Sequence, residues 1–165
     1  MGTYNMIRTK ALSFTYPDGT EAVVEVDLEV KSGEFVALMG ANGSGKTTLL
    51  KLLIGLLKPS SGSIYLDGKE FRSLKDREIF QRVGMVFQDP NDQLFASTVE
   101  QDVAFGVVNL GIKPEEAAQR VADALKMVGA AELASKAIHT LSYGQKRRAA
   151  LAGVLAMEPK IVLLD

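Results

Sequence analysis

The octapeptide GANGSGKT at residues 40–47 constrains this chain more than any other feature. It satisfies G-x-x-x-x-G-K-[ST] and lies between a short apolar run and a helical stretch, the context in which the pattern carries meaning. Gly40, Gly43 and Gly45 let the backbone curl with its N–H groups turned inward, forming a nest for an anion. A helix predicted over residues 45–57 adds the positive end of its dipole. Lys46 then reaches the β- and γ-phosphates of a nucleotide, and the Thr47 hydroxyl suits Mg²⁺. Asn42, Ser44 and Thr48 complete the candidate binding set. The competing reading is a glycine-rich strand–helix turn that holds no ligand.

Around this loop the chain is patterned as an α/β domain. Val24, Val26, Leu28 and Val30 alternate with charged residues, which predicts a strand with one buried face. Phe14 and Tyr16 alternate similarly ahead of a Pro17-Asp18-Gly19 turn. Phe35–Met39 is continuously apolar and predicts a fully buried strand. Further strands are expected at residues 62–68, 83–87 and 160–164. Ser97 with Glu100 reads as a capping box, Pro114 opens a helix that Gly129 closes, and Gln145–Met157 forms another helix. This layout is a mixed sheet with an antiparallel β part and a helical subdomain.

Composition removes several alternatives. With a net charge of −1, no overall field draws the chain to nucleic acid or anionic lipid. The absence of cysteine excludes disulfides and Cys-based zinc sites, and suits a reducing compartment. The first ten residues have no apolar core of a signal peptide, and no run reaches the length of a membrane span. The expectation is a cytoplasmic protein without direct membrane insertion.

Four further features narrow the reading. Leu141-Ser142-Tyr143-Gly144-Gln145 precedes a helix, and an apolar run ending at Asp165 follows it. Gln88 closes a strand between the phosphate loop and the helical region, and Tyr16 lies in the early β part. In this order the features resemble the Walker A, Q-loop, signature, Walker B and A-loop of ABC ATPases, over essentially the whole chain. The resemblance implies a single ABC ATPase domain over residues 1–165, with a nucleotide-binding core at about 1–88 and 158–165. The helical subdomain, including the signature, occupies about 89–157.

It also implies ATP and Mg²⁺ as ligands. Lys46, Gln88 and Asp165 would act in hydrolysis, and Thr47, Gln88 and Asp165 would hold the metal. Tyr16 would stack on adenine, with a packed strand aromatic as the other reading. The signature residues Leu141, Ser142, Tyr143, Gly144 and Gln145 would face the nucleotide of a second ABC ATPase subunit, identical or different. His139 precedes the signature and is not the family's switch histidine; a surface or packing role is expected. Lys146, Arg147 and Arg148 are expected on the first helical turn as interface or solvent charges rather than nucleic-acid contacts. The segment from Asp89 to Gly106 is similar to the ATPase subunits of energy-coupling-factor importers, including cobalt and nickel types. There Leu94 and Phe95 would meet a transmembrane coupling subunit, unless they pack within the insert. The chain would then sit peripherally on the inner face of the membrane.

Two departures stand out. Tyr143 replaces the glycine of the commonest signature. A family member would also continue past Asp165 with a catalytic glutamate, another core strand and a histidine. Hydrolysis by these residues alone is expected to be slow or absent, and the chain alone marginally stable. A non-transport ABC ATPase and a non-hydrolytic nucleotide-binding fragment are the alternatives.

Overall fold

Residues leading into the Pro17-Asp18-Gly19 turn form β1 (Asn5–Thr15), the middle strand of an antiparallel sheet. It pairs with β2 (Glu21–Val26) and β3 (Glu29–Lys31) along one edge and with β4 (Ser61–Leu66) along the other. A tight turn then brings β5 (Lys69–Glu70) against β4. The computed structural model describes residues 5–165; the first four of the ten residues read above for a signal peptide lie outside that range. The chain divides into two compact units, one ending at Phe80 and the other spanning Gln81–Asp165.

In the first unit Ile7, Leu12, Ile64 and Leu66 bury almost all of their surface beneath the sheet. Thr9 is buried among them without an unpaired group. Its hydroxyl donates to the Val26 carbonyl at 2.7 Å and accepts from the Leu28 amide at 2.8 Å, bridging the break between β2 and β3. The predicted alternation from Val24 to Val30 needs correction. Val26, Leu28 and Val30 are half-buried, but Val24 is 60% exposed. A bulge is the cause. Leu12 pairs with Val26 and Phe14 with Val23, so β2 carries one extra residue, and Glu25 takes a φ of 46° there. An extra residue turns the following side chains to the other face.

The second correction concerns Phe35–Met39, predicted as a buried strand. The segment belongs to no sheet, and Phe35 and Met39 are each 92% exposed. A fully apolar strand becomes buried only when neighbours on both edges take up its backbone groups; among the described residues it has no strand partner. Beyond it α1 (Lys46–Leu53) buries Leu49, Leu50, Leu52 and Leu53. This helix ends earlier than residue 57, because Gly55 adopts a left-handed φ of 81° and its amide bonds the Leu52 carbonyl at 3.0 Å. The short α2 (Asp76–Phe80) closes the unit, its entry fixed by the Glu78 carboxylate accepting from the Lys75 amide at 3.0 Å.

The second unit is built on two parallel strands, β6 (Val83–Val86) and β7 (Ile161–Leu164), paired in register from Val83–Ile161 to Val86–Leu164. Between them in sequence lie α3 (Val99–Asn109), α4 (Pro114–Met127) and α5 (Tyr143–Ala156). Val99, Val103 and Val107 on α3 are fully buried, facing an alanine-rich α5 that buries Ala149, Ala150, Ala152 and Ala156. Small side chains let the two axes approach closely. Gly84 serves the same packing from the strand side, since a Cβ there would come within 2.5 Å of Val154. On α4, Arg120 reaches Glu116 at 2.7 Å and Glu158 at 3.1 Å, tying that helix to the residues after α5.

The capping box at the start of α3 is displaced by one residue from its predicted place. Thr98, not Ser97, caps the helix: its hydroxyl accepts from the Gln101 amide at 3.4 Å, and the Gln101 side chain accepts from the Thr98 amide at 3.3 Å. The Ser97 carbonyl instead takes the Ile138 amide, beside a single β-bridge between Thr98 and Ala137. At the other predicted boundaries Gly129 closes α4 with a φ of 63°, and α5 begins at Tyr143, two residues ahead of the expected Gln145.

Candidate nucleotide site

The phosphate loop is held in shape by its own residues. Gly43 and Gly45 both have left-handed φ values, 79° and 87°. Gly45 is the residue before α1, and a Cβ there would collide with the Ala22 carbonyl oxygen of β2. At Gly40 a Cβ would lie 2.7 Å from the Ser44 hydroxyl. At Gly45 the obstacle is backbone and the φ is left-handed, so no side chain fits there, whereas at Gly40 the Ser44 side chain would have to turn aside. The Lys46 ammonium folds back across the loop, donating to the carbonyls of Gly40 at 2.9 Å and Ala41 at 2.7 Å, with the Ser44 hydroxyl at 3.4 Å. Ala41, Asn42, Gly43 and Ser44 are all exposed. An open loop at a helix N-terminus, with a cation drawn over it and no carboxylate among these contacts, fits a polyphosphate.

Tyr16 is brought to this loop. It follows β1, stands edge-on to Phe14 with ring centroids 4.9 Å apart, and is half-buried. Its hydroxyl lies 2.9 Å from that of the buried Thr48 on the first turn of α1. Two residues predicted separately as binding groups are thus hydrogen-bonded to each other, and the edge-on contact with Phe14 is the setting of a packed strand aromatic. Beside the loop an open groove of about 220 Å³ is lined by Val23, Val26, Leu38, Met39 and Leu49 together with Lys46. Ser44 and Gly45 of the loop also line it, so the groove opens directly onto the phosphate loop.

In the second unit Gln88 and Asp165 come together by topology. Asp165 follows β7 directly and Gln88 follows β6 after Phe87, at the carboxyl ends of adjacent parallel strands, where ligands of open α/β sheets gather. The Asp165 amide donates to the Val86 carbonyl at 3.0 Å, continuing the ladder. Gln88 is exposed. The signature is also ordered as a cap. The Ser142 hydroxyl accepts from the Gln145 amide at 3.3 Å and the Gln145 side chain accepts from the Ser142 amide at 2.9 Å, a full capping box. Leu141 is buried as its anchor, while Ser142, Tyr143 and Gly144 are exposed at the positive end of α5.

The sequence reading missed the bracing of the segment after Gln88. Asp89 caps a turn at Pro90–Asp92, its carboxylate accepting from the Asn91 amide at 2.9 Å. Gln93 takes the Phe87 amide at 3.0 Å and donates to the Ala150 carbonyl on α5 at 3.0 Å. The Asp-Pro-Asn run signals the turn, but nothing local singles out Gln93. The pair Leu94 and Phe95 splits: Leu94 is buried and follows the alternative of packing within the insert, whereas Phe95 is 64% exposed and stacks edge-on against Phe105. Alternate side chains of this irregular stretch face opposite ways, so one supplies the core and the other the surface. His139 is exposed, as expected. Among the described residues no helix is long and apolar enough to cross a membrane.

A family model described as ABC transporter matches residues 23–165. The chain belongs to the ABC transporter family. As an ABC transporter chain it is 51% identical over 153 residues to a putative ABC transporter ATP-binding protein of Geobacter sulfurreducens, covering 93% of this chain and 55% of the relative. It is 48% identical over 162 residues to the energy-coupling factor transporter ATP-binding protein EcfA of Methanothermobacter thermautotrophicus, covering 97% of this chain and 52% of that protein. The chain thus spans about half the length of these curated relatives. Among solved structures it is similar to cbiO1 of Clostridium perfringens, part of the ABC transporter complex cbiONQ. The TM-score is 0.85 at 44% identity, over 98% of this chain and 65% of that one. A dimeric ATP-binding cassette in a post-hydrolysis state with ADP and Pi gives a TM-score of 0.86 at 33% identity, over 97% of this chain and 73% of that one. The ABC ATPase fold and the energy-coupling-factor likeness both stand on these matches.

Proposed function

We propose that the full-length protein binds ATP with Mg²⁺ and hydrolyses it to power import of a small solute through membrane partner subunits. The solute would be a metal ion such as cobalt or nickel, or a vitamin. The observation that carries this reading is the exposed, glycine-built phosphate loop with Lys46 drawn over it, in a chain of the ABC transporter family. The importer assignment is supported by the EcfA and cbiO1 likenesses.

In this reading residues 40–48 receive the phosphates, and Tyr16 supports the adenine. Lys46 releases its loop carbonyls and turns to the β- and γ-oxygens, where its charge offsets the negative charge that builds up during transfer. Mg²⁺, when bound, neutralises phosphate oxygens, and Thr47, Gln88 and Asp165 are the residues that would hold it. Gln88 orients the attacking water. Ser142 and the Gly144 amide, with Leu141, Tyr143 and Gln145 around them, present the positive end of α5 to a nucleotide held by a second ATPase subunit. Residues of about 1–88 and 158–165 form the nucleotide-binding core and about 89–157 the helical subdomain of one domain. The protein works at the inner face of the membrane, held there by a transmembrane coupling subunit, and residues 1–165 alone turn over slowly or not at all.

The test uses the full-length protein. ATP binding and phosphate release are expected in the wild type, and K46A is expected to reduce turnover at least a hundredfold. Co-purification with membrane proteins is expected. Co-purification with nucleic acid or ribosomes instead would favour a non-transport ABC ATPase. Turnover that survives K46A would refute the site.

A further inference from the structure

Tyr143 stands where the commonest signature has glycine, and its side chain does something glycine cannot. Its hydroxyl donates to the backbone carbonyl of Gln88 at 3.2 Å, across 55 positions of sequence. The next turn of α5 adds a second strap, as the Lys146 ammonium donates to the Asn91 side-chain oxygen at 2.7 Å. Asn91 in turn donates from its amide nitrogen to the Asp89 carboxylate at 2.8 Å. One helical turn further on, Gln93 donates to Ala150. The Arg147 guanidinium lies 5.8 Å from the Tyr143 ring centroid, close enough to steady the ring by cation–π attraction. Residues 88–93 therefore lie along the first half of α5 and are fastened to it at three points.

We propose that Tyr143 is a positioning residue whose hydroxyl, together with Lys146, clasps the Gln88 segment to the head of α5. This rests on the reading of Gln88 as the residue that orients water. Its physical content is that the loop carrying Gln88 has no regular secondary structure of its own beyond a single turn, so its side chain is aimed only as well as its backbone is held. The clasp holds that backbone on the helix whose amino end carries the signature. Any displacement of the signature is then passed to Gln88 through two side chains rather than through the intervening loop.

The test uses Y143F, which removes one oxygen and keeps the ring, and K146M, which keeps the stem and removes the charge, both in the full-length protein. Loss of one such bond is expected to raise hydrogen exchange across residues 87–94 about fivefold in each variant, with α4 unchanged. Turnover in Y143F is expected to fall by a similar factor with the KM for ATP unaltered. In a Q88A background Y143F is expected to add nothing, because its effect runs through Gln88. Wild-type exchange in both variants would overturn the clasp. Raised exchange with unchanged turnover, or an undiminished Y143F effect in Q88A, would overturn its positioning role. A wild type that neither binds nor turns over ATP would defeat the functional reading, while the exchange measurement would still judge the clasp.

Discussion

Gly43 and Gly45 have nearly the same left-handed backbone, yet their surroundings separate what each contributes. Around Gly43 nothing lies within 4 Å of the place a Cβ would take, whereas at Gly45 the Ala22 carbonyl is in the way. G43A is therefore expected to cost only the left-handed penalty, about 1–2 kcal/mol. G45A adds a backbone collision that must move either β2 or the start of α1. Thermal melting of the two variants should show the larger fall for G45A, and nucleotide titration should show that only G45A abolishes binding. At Tyr16 the ring and the hydroxyl can be parted in the same way. Y16F loses the bond to Thr48, worth about 1 kcal/mol, and is expected to keep its ATP affinity, while Y16A loses affinity as well. Equal affinities for Y16A and the wild type would make the ring a packing group only. The phosphate loop was legible at this scale because everything it needs is contiguous in sequence. The partners of Tyr16 and Tyr143 were not, since they lie 32 and 55 positions away and no pattern marks them.

At the scale of elements, the helix α3 offers a sharp test of where its boundary lies. Thr98 carries the cap and Ser97 does not, so T98A is expected to lose about 1 kcal/mol of stability and S97A much less. Denaturant midpoints of the two variants decide it. Sequence alone places the box one residue early because Ser97-Glu100 and Thr98-Gln101 both satisfy the pattern. The choice is made by Ala137 and Ile138, whose pairing with residues 97 and 98 belongs to tertiary structure. The bulge at Glu25 is hidden for a similar reason, as strand periodicity is read one chain at a time and register involves two. By contrast α4 announces itself through Pro114, its paired glutamates and Gly129, all local signals. Packing makes a further demand on β6: G84V would drive a side chain into Val154 and Pro159. Overpacking of this kind costs about 1–3 kcal/mol, visible as a lowered Tm without loss of helix signal.

For the molecule as a whole, Phe35–Met39 is the segment where sequence and structure differ most. Its composition demands burial, and its two ends are 92% exposed. Such a run is readable as a strand from composition but not as an unpaired one, because pairing depends on residues remote in sequence. A protein of residues 1–165 is expected to show unprotected amides at 35–39, to bind a dye that reports apolar surface, and to aggregate on mild warming. The full-length protein is expected to protect the same amides. Slow exchange at 35–39 in the short form would contradict this account.

The parallel pairing of β6 with β7 has a consequence for the order in which the second unit forms. Val83 meets Ile161 only after about eighty intervening positions have been arranged, and closing so long a loop carries an entropic cost that local contacts do not. The three helices between them contact one another at smaller separations than the strands do, and are expected to gather first. The strand pair is then expected to close late, beside α5. During synthesis β6 leaves the ribosome long before its partner exists, and its four buried residues wait beside a helical cluster with one edge unmet. By that order, the carboxyl ends that lead to Gln88 and Asp165 are expected to be among the last features assembled.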